Sequence, residues 1–461
     1  MTPSHDTDPM AGCGRFPSRT PDRTRAGASH RLATCVVLAL SLAGAAQAEV
    51  VAVKAGRLID GNGGNVQPNV VILIDGDRIT QVGPAVSIPD EARVIDLSAY
   101  TVLPGFIDAH VHLGGRHIGE GNWQNSTVRD LPQEDAIRGV RNARLTLEAG
   151  FTTVRNVGDS HFTDIALRRA IAEGVVDGPR IVSAGHSLGI TGGHCDTNGY
   201  NPGVADRGPD RGIADGISGV RQAVRTQIKR GADVIKFCAT GGVLSEGDAV
   251  GVQQYTLEEM QAIVETAHLA ERKVAAHAHG TEGIKAALRA GVDSIEHGSL
   301  LDDEAIRLFK DGQAYLVPTL MAQEAVERQA LDGTLTGERA EKARFIAPKA
   351  RASFVRAVQA GVRMALGSDA GVFAHGTQGR EFVLMAQNGM TPMAAIQAGT
   401  RHAADLLGLA DQVGTVERGK IADLVAVPGN PLDDVELLTR PAFVMHAGRV
   451  AFSSIPGNGK D

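Results

Sequence analysis

The chain is poor in cysteine, has no dense run of basic residues, and contains no apolar stretch long enough to serve as a stable membrane anchor. Its four cysteines are Cys13, Cys35, Cys195 and Cys238, too few for the disulfide framework that holds small secreted folds together. Beyond the N-terminal segment only Cys195 and Cys238 remain. The expectation for them is two free thiols, with a single bridge as the alternative in an oxidising compartment. Charged residues are 21% of the 461 positions and the formal net charge is -7. That balance excludes a nucleic-acid partner and a polybasic attachment to an acidic membrane. Aromatic residues are scarce at 4%, whereas glycine is plentiful at 56. Many glycines in a long chain that is 43% hydrophobic suit a large core with many tight strand–helix turns.

Residues 1–48 differ from the rest. Positions 1–31 are rich in Pro, Ser, Thr and Arg and show no apolar periodicity. Positions 32–42 (LATCVVLALSL) form a short apolar run preceded by Arg25, His30 and Arg31 and followed by the small-x-small triplet Ala46-Gln47-Ala48. This is the layout of a secretory signal, and the run is too short for a stable anchor. The expectation is an exported protein, periplasmic or secreted, with no stable membrane insertion after cleavage. A disordered tail with one apolar segment is the alternative. Cys35 lies within the run rather than at its end, which argues against lipoprotein processing.

From 50 to 102 the chain reads as short strands and turns, with a hairpin pattern at 70–74, Asp75-Gly76-Asp77 and 79–82. Strand-like segments return at 414–416 and 421–427. Both ends therefore predict one small β-sandwich domain built from 49–103 and 410–455. The middle, 104–409, alternates. Apolar, β-branched runs occur at 101–111, 151–157, 180–184, 233–239, 273–279, 293–297, 314–320 and 362–367. Helical spacing fills intervals such as 135–149, 162–174, 216–230, 256–272 and 281–290. Eight candidate strands alternating with helices predict an α/β fold closed as a (β/α)8 TIM barrel. An open doubly wound sheet is disfavoured because no G-x-G-x-x-G follows the first run. Two long loops are expected, at 186–215 and 321–345, and long loops in a compact barrel usually carry function.

The first barrel run closes on Asp108-Ala109-His110-Val111-His112. Residues i and i+2 of a strand point the same way, so both imidazoles face the interior, where neutral rings ligate divalent metals. Alone, such a pair is a weak signal. Other strand ends add to it. Val234-Ile235-Lys236-Phe237 puts a lysine in an apolar run, where an ammonium is costly unless paired or chemically changed. Ala276-His277-Ala278-His279, Glu296-His297 and Ser368-Asp369 also fall at strand ends, the face where barrel active sites sit. His279 shares the inward face with His277 and is read as a substrate contact or a packing residue. On the first long loop His186, His194 and Tyr200 are candidates to meet substrate, against a solvated glycine-rich loop. Arg116 and His117 are candidates for a carboxylate site. His268 and His402 fall in helical stretches and carry no assigned chemistry.

The segments PGFIDAHVH, SIEHGS, GSDA and GTVERGKIADLVAV resemble the amidohydrolase superfamily. Within it, DVIKFCATGG and VAAHAHG are similar to the group of prolidase-like Xaa-Pro dipeptidases and ochratoxin-type amidases. The resemblance spans roughly 50–450. It implies two divalent metal ions, zinc by expectation, and a CO2-derived carboxylate on Lys236 that bridges them. His110, His112 and Asp369 would hold the more buried ion, and His277 and His297 the more exposed one. A bridging hydroxide would attack, and Asp369 would carry the proton to the leaving amine. The implied activity is hydrolysis of the amide of a dipeptide or N-acyl amino acid, so the partner is a small molecule; assembly into a homo-oligomer stays open. Alternatives on the same core are lactones, cyclic imides, imidazolones and phosphotriesters. A Schiff-base lyase using Lys236, or a silent binding protein, is disfavoured by the histidines and by Asp369 respectively.

Overall fold

A computed structural model describes residues 50–459; the signal-like segment 1–48 lies outside the described residues. Near the N-terminus, half-buried alternation produces four strands: β1 (Val50–Leu58), β2 (Gln67–Asp75), β3 (Arg78–Gly83) and β4 (Arg93–Pro104). β1 and β2 pair antiparallel, as do β2 and β3 across the Gly76 turn, and β4 lies parallel to β1.

The apolar run at 101–111 is not one strand but two, because the chain breaks at Gly105 between β4 and β5 (Phe106–Val111). A Cβ on Gly105 would stand 2.2 Å from Thr152 Oγ1, so no larger residue fits at this crossing between sheets. Six further parallel strands follow: β6 (Phe151–Asn156), β7 (Arg180–Ser183), β8 (Val234–Cys238), β9 (Lys273–Ala278), β10 (Ser294–His297) and β11 (Tyr315–Val317). Almost every residue on them is buried, as expected of parallel strands covered on both faces. The β5-β6-β7 and β8-β9-β10-β11 groups join where the Asp233 N–H donates to Ser183 O at 2.7 Å and the Leu188 N–H to Lys236 O at 2.8 Å. The eighth run is not a full ladder strand. It closes the ring through the pairs Leu316–Met364 and Val111–Ala370, with the Ala109 N–H donating to Leu366 O at 2.8 Å.

Helices follow the strands in turn, at Pro132–Glu148, Thr163–Ala172, Gly216–Arg230, Leu257–His268, Thr281–Ala290 and Asp303–Asp311. Local chemistry sets their ends. Thr256 Oγ1 accepts from the Glu259 N–H while Glu259 Oε2 accepts from the Thr256 N–H, a reciprocal cap for Leu257–His268. The stretch 321–345 corrects the expectation of a loop: it is largely helical, in Leu320–Asp332 and Gly337–Ala360. Its Ala, Leu, Gln, Glu and Arg residues have high helix propensity, and Met321, Ala325 and Val326 bury one face.

Three C-terminal strands, β12 (Leu424–Pro428), β13 (Phe443–His446) and β14 (Arg449–Ser453), return to β4. They extend the N-terminal strands into one continuous sheet of order β14-β13-β12-β4-β1-β2-β3. Val53, Ile72, Leu97, Val102, Leu424 and Phe443 share its apolar cluster. Asp423 ties this sheet to the barrel. Its buried carboxylate accepts from Arg180 of β7 at 2.9 Å, from the His446 ring at 3.0 Å and from the Ala447 N–H at 2.8 Å. Burial works to raise the Asp423 carboxyl, but His446 and Arg180 outweigh it and hold it below the usual range.

The expectation of two free thiols is also corrected. Cys195 and Cys238 form a disulfide, with Cα atoms 6.0 Å apart. The loop at 186–215 folds back over the end of β8, so residues 43 apart in sequence meet; nothing in the spacing announces that.

Asp423→Asn should cost about 3 kcal/mol, because it removes one partner of a buried charge cluster, and denaturant melts read this directly. Since the folded carboxyl is depressed, its contribution is present above the ordinary carboxylate pKa and is lost as pH falls through the folded value. The gap between wild type and variant should therefore narrow in acid. Reduction of the disulfide should lower stability by about 2–4 kcal/mol; melts unchanged by reductant would mean the bridge does not form in solution.

Candidate metal centre

The C-terminal ends of the barrel strands bring the expected ligand residues into one cavity of about 280 Å³, lined by His110, His112, Lys236, His277, His297 and Asp369. Register explains the convergence. Lys236 lies opposite Ala275, two residues before His277, and His297 opposite Ala278, one residue after it, so three neighbouring strands present their ligands within a few residues of the same level. His297 and Asp369 both turn at their strand ends with positive φ, 73° and 62°. Non-glycine residues adopt that conformation rarely, and strain of this kind clusters at functional sites.

Two clusters form. In the first, Asp369 Oδ1 is 3.4 Å from both His110 Nε2 and His112 Nε2. That is too long for a good hydrogen bond, yet it is the separation of two tetrahedral ligands each roughly 2.1 Å from one ion, about 3.4 Å. The other ring nitrogens are occupied. His110 Nδ1 is 2.7 Å from Glu296 Oε2 and His112 Nδ1 is 2.7 Å from Gly158 O. Each Nδ1–H donates to its oxygen, which leaves the Nε2 lone pairs facing the carboxylate. In the second cluster, His297 Nε2 lies 2.9 Å from His277 Nδ1, and His279 stacks on His297 at 4.8 Å between ring centroids. Ligand atoms of each trio, His277–His279–His297 and His110–His112–Asp369, lie within 4.8 Å of one another. Burial drives the His110 pKa down to about 4 and that of His279 to about 3, and takes His277 and His297 well below the usual value. The rings are thus neutral at physiological pH, the form that binds metal. Asp369 stays a carboxylate: burial opposes ionisation, but His110 and His112 outweigh it. The donor set fits two cations.

Lys236 is only 4% exposed, and among the described residues its ammonium has no carboxylate within ion-pair distance. Burial pulls its pKa down to about 8, against the opposing pull of Glu296 and Asp369.

Of the weaker candidates, His194 and His279 line the cavity. His194 stacks on His277 at 4.2 Å, and its Nδ1 is 2.8 Å from Ser245 Oγ. Its ring packs on Gly242, where a Cβ would stand 2.1 Å from His194 Cε1. Tyr200 instead lines an adjoining cavity that it shares with His194. His186 is buried against Phe162, outside the main cavity. Arg116 reaches the mouth, but Asp130 holds its guanidinium at 2.6 and 3.3 Å. His117 stays beside Glu120, at 3.7 Å. His268 closes its helix beside Asp293, at 2.9 Å, and His402 lies in the helix Arg401–Leu407.

Sequence reasoning missed the groups that orient the ligands. Glu296 is fully buried and also accepts from Arg155 at 2.7 Å and Ser294 at 2.5 Å. Burial alone would raise its carboxyl, but Arg155 and His110 hold it down at about 2. Asp108 accepts from Ser368 Oγ at 2.5 Å and from the Ser368 N–H at 3.0 Å, which fixes the turn that presents Asp369. Both acids stand beside a ligand in the sequence, Glu296 before His297 and Asp108 two before His110. That adjacency is the one signal that could have found them.

A barrel of seven parallel strands, closed by the run at 362–370, with two histidine clusters at its C-terminal mouth fits a metal-dependent hydrolase. A profile of the amidohydrolase family matches residues 101–451. An ochratoxinase from Aspergillus niger is 34% identical over 428 residues, covering 88% of this chain and 87% of its own length. A solved Xaa-Pro dipeptidase with methionine bound in its active site matches at 41% identity and TM-score 0.84, covering 87% of this chain and 99% of that one. A prolidase complexed with N-methylphosphonate-L-proline matches at 33% and 0.79, with the same coverages of 87% and 99%. The chain belongs to the amidohydrolase family, in its prolidase and ochratoxinase group, and is a hydrolase of amide bonds. Members of this family use divalent metals, which the two clusters suit.

Glu296→Gln should weaken metal binding at the His110 cluster about 10–100-fold, the usual effect of losing a ligand's orienting partner. Chelator competition followed by metal analysis measures this. Unchanged affinity in a folded variant would remove the orienting role of Glu296.

Proposed function

We propose that this protein hydrolyses the amide bond of dipeptides or N-acyl amino acids with the help of two divalent ions, zinc by preference of the donor set, and a carboxylated Lys236. The observation that carries the reading is Lys236 itself, buried in the cavity it shares with both histidine clusters and lacking a counter-charge at ion-pair distance. Carboxylation by CO2 turns that isolated cation into an anionic oxygen ligand. A lysine with a pKa near 8 carries an appreciable fraction of free amine near neutral pH, and only the free amine reacts with CO2. His110, His112 and Asp369 would hold one ion and His277 and His297 the other, with Lys236 between them.

Two bound cations supply Lewis acidity at the scissile carbonyl and acidify a water to near neutrality. The remaining work belongs to the chain. Asp369, ionised and fixed beside His110 and His112, accepts the proton of the attacking water and returns it to the departing amine. His194 and His279, neutral and facing the cavity, each offer one N–H to the oxygen that becomes negative. The apolar lining from Val243, Leu244, Ala322 and Val326 excludes water and receives the substrate's side chains. The Cys195–Cys238 bridge supports the exported location, because such bonds persist in oxidising compartments.

Lys236→Ala should reduce activity by more than the roughly 10–100-fold lost with an outer orienting group and should release metal; rescue by short carboxylates would support the carboxylated form. Full activity in this variant would sink the carboxylation claim. Reloading metal-free protein should need CO2 and, at equal dissolved CO2, run slower at about pH 6 than at about pH 8, since the free amine grows as pH rises toward its pKa. The metal-loaded protein, assayed against dipeptides, N-acyl amino acids, lactones and phosphotriesters, should prefer the first two; preference for either of the others would overturn the substrate assignment.

A further inference from the structure

Most polar side chains in the cavity wall have a partner. His110, His112, His194, His279 and His297 each place Nδ1 2.7 or 2.8 Å from an oxygen, of Glu296, Gly158, Ser245, Ser299 and Thr319 in turn. Arg116 is held by Asp130. Among the described residues, two side-chain atoms of the wall are closed off from solvent and have no hydrogen-bond partner: His277 Nε2 and Gln323 Oε1. The first belongs to the second histidine cluster, where a cation would take up its lone pair. Gln323 belongs to neither cluster.

Gln323 stands on the helix Leu320–Asp332, and its backbone N–H donates to Thr319 O at 3.4 Å. It therefore lies one turn beyond the residue that holds His297. It is 3% exposed, and its carboxamide makes no hydrogen bond among the described residues. The same wall carries the apolar side chains of Val243, Leu244, Ala322 and Val326. A buried amide without a partner is unfavourable, and an apolar residue of equal length would pack there without that cost. The fold gives the carboxamide no use; a group entering the cavity does. Three rotatable bonds let the amide turn toward it.

The surrounding charges define what that group is. Asp369 is the one carboxylate in the lining, and it faces His110 and His112. Arg116 is already taken by Asp130. A charged side chain would find no free counter-ion beside Gln323 among the lining residues. A carboxamide has an acceptor at one end and two donors at the other, so its match is a neutral group that both donates and accepts.

We propose that Gln323 is a specificity-determining residue that binds a hydroxyl or carboxamide on a side chain of the substrate. This rests on the amide-hydrolase reading above and adds to it a choice between side chains: a neutral polar one is preferred to a hydrocarbon of the same shape. In an apolar wall such a bond is stronger than at an exposed surface.

The test uses dipeptides in which each side chain flanking the scissile bond is exchanged between members of matched pairs, Thr against Val and Asn against Leu. Wild type should prefer the polar member at one of the two positions by about 3–10-fold in kcat/KM, the range for a neutral hydrogen bond. Gln323→Met, unbranched and of similar length, should reverse that preference at equal metal content, through KM more than kcat. Its Tm should not fall, because the carboxamide makes no bond within the fold. A lower Tm with an equal loss on both members of a pair would assign Gln323 to the fold and overturn the proposal. So would a preference that survives in Gln323→Met. Indifference of wild type within every pair would overturn it too, with amide hydrolysis left intact. Cleavage of no amide, with turnover of lactones instead, would overturn both readings.

Discussion

The barrel's working end depends on one buried ion pair. Arg155, on β6, donates through Nε to Ala109 O at 2.6 Å, through one terminal nitrogen to Ser294 Oγ at 3.0 Å and through the other to Glu296 Oε1 at 2.7 Å. A single guanidinium thereby spans the interior from β5 to β10. Glu296 uses its second oxygen to hold His110. Taking these charges out of water is expensive, and a buried pair of this kind is weak grounds for stability. Its effect is geometric: it sets the tautomer and direction of one imidazole, and through the barrel wall it fixes two strands that carry ligands.

That constraint carries over to the charge balance of the site. Five buried imidazoles, those of His110, His194, His277, His279 and His297, are held neutral. The permanent negative charge facing the cavity is that of Asp369 alone among the residues that line it. Two divalent ions placed there would meet too little negative charge if Lys236 stayed an ammonium, and would be repelled by it. The proposed carboxylation changes the local charge by two units at one stroke, from cation to anion. The same burial that makes an ammonium unfavourable at position 236 creates the free amine from which the anion forms.

Much of this was legible in the sequence, for a physical reason. Metal ligands in a barrel sit at or near strand ends; the candidates His112, His297 and Asp369 mark the stop of a run, and His110, Lys236 and His277 stand one or two residues before a strand's last residue. The side-chain direction follows from the two-residue repeat. What could not be read depends on contacts between distant segments. Glu296 is an acid in an apolar run until β6 brings Arg155 across from it. Cys195 and Cys238 meet because a loop folds back, and loop paths leave no periodicity. The split at Gly105 is invisible because two consecutive buried strands read as one run. The helix Leu320–Asp332 is buried along much of its length, polar Gln323 and Gln329 included, so its apolar face is interrupted in the sequence.

The division of labour that results is between strands and one loop. The candidate metal ligands stand on the strands or just past their ends, whose positions the whole barrel determines. His194 and Cys195 stand on the 186–215 loop, which the disulfide fastens to β8 two residues beyond Lys236. A loop left free could turn its imidazole away from the mouth; one pinned at Cys238 keeps His194 stacked on His277, at 4.2 Å between ring centroids. The one histidine that the loop contributes to the cavity is thereby tied to the strand frame. Its position follows from where a single loop is fastened, with the strands unchanged.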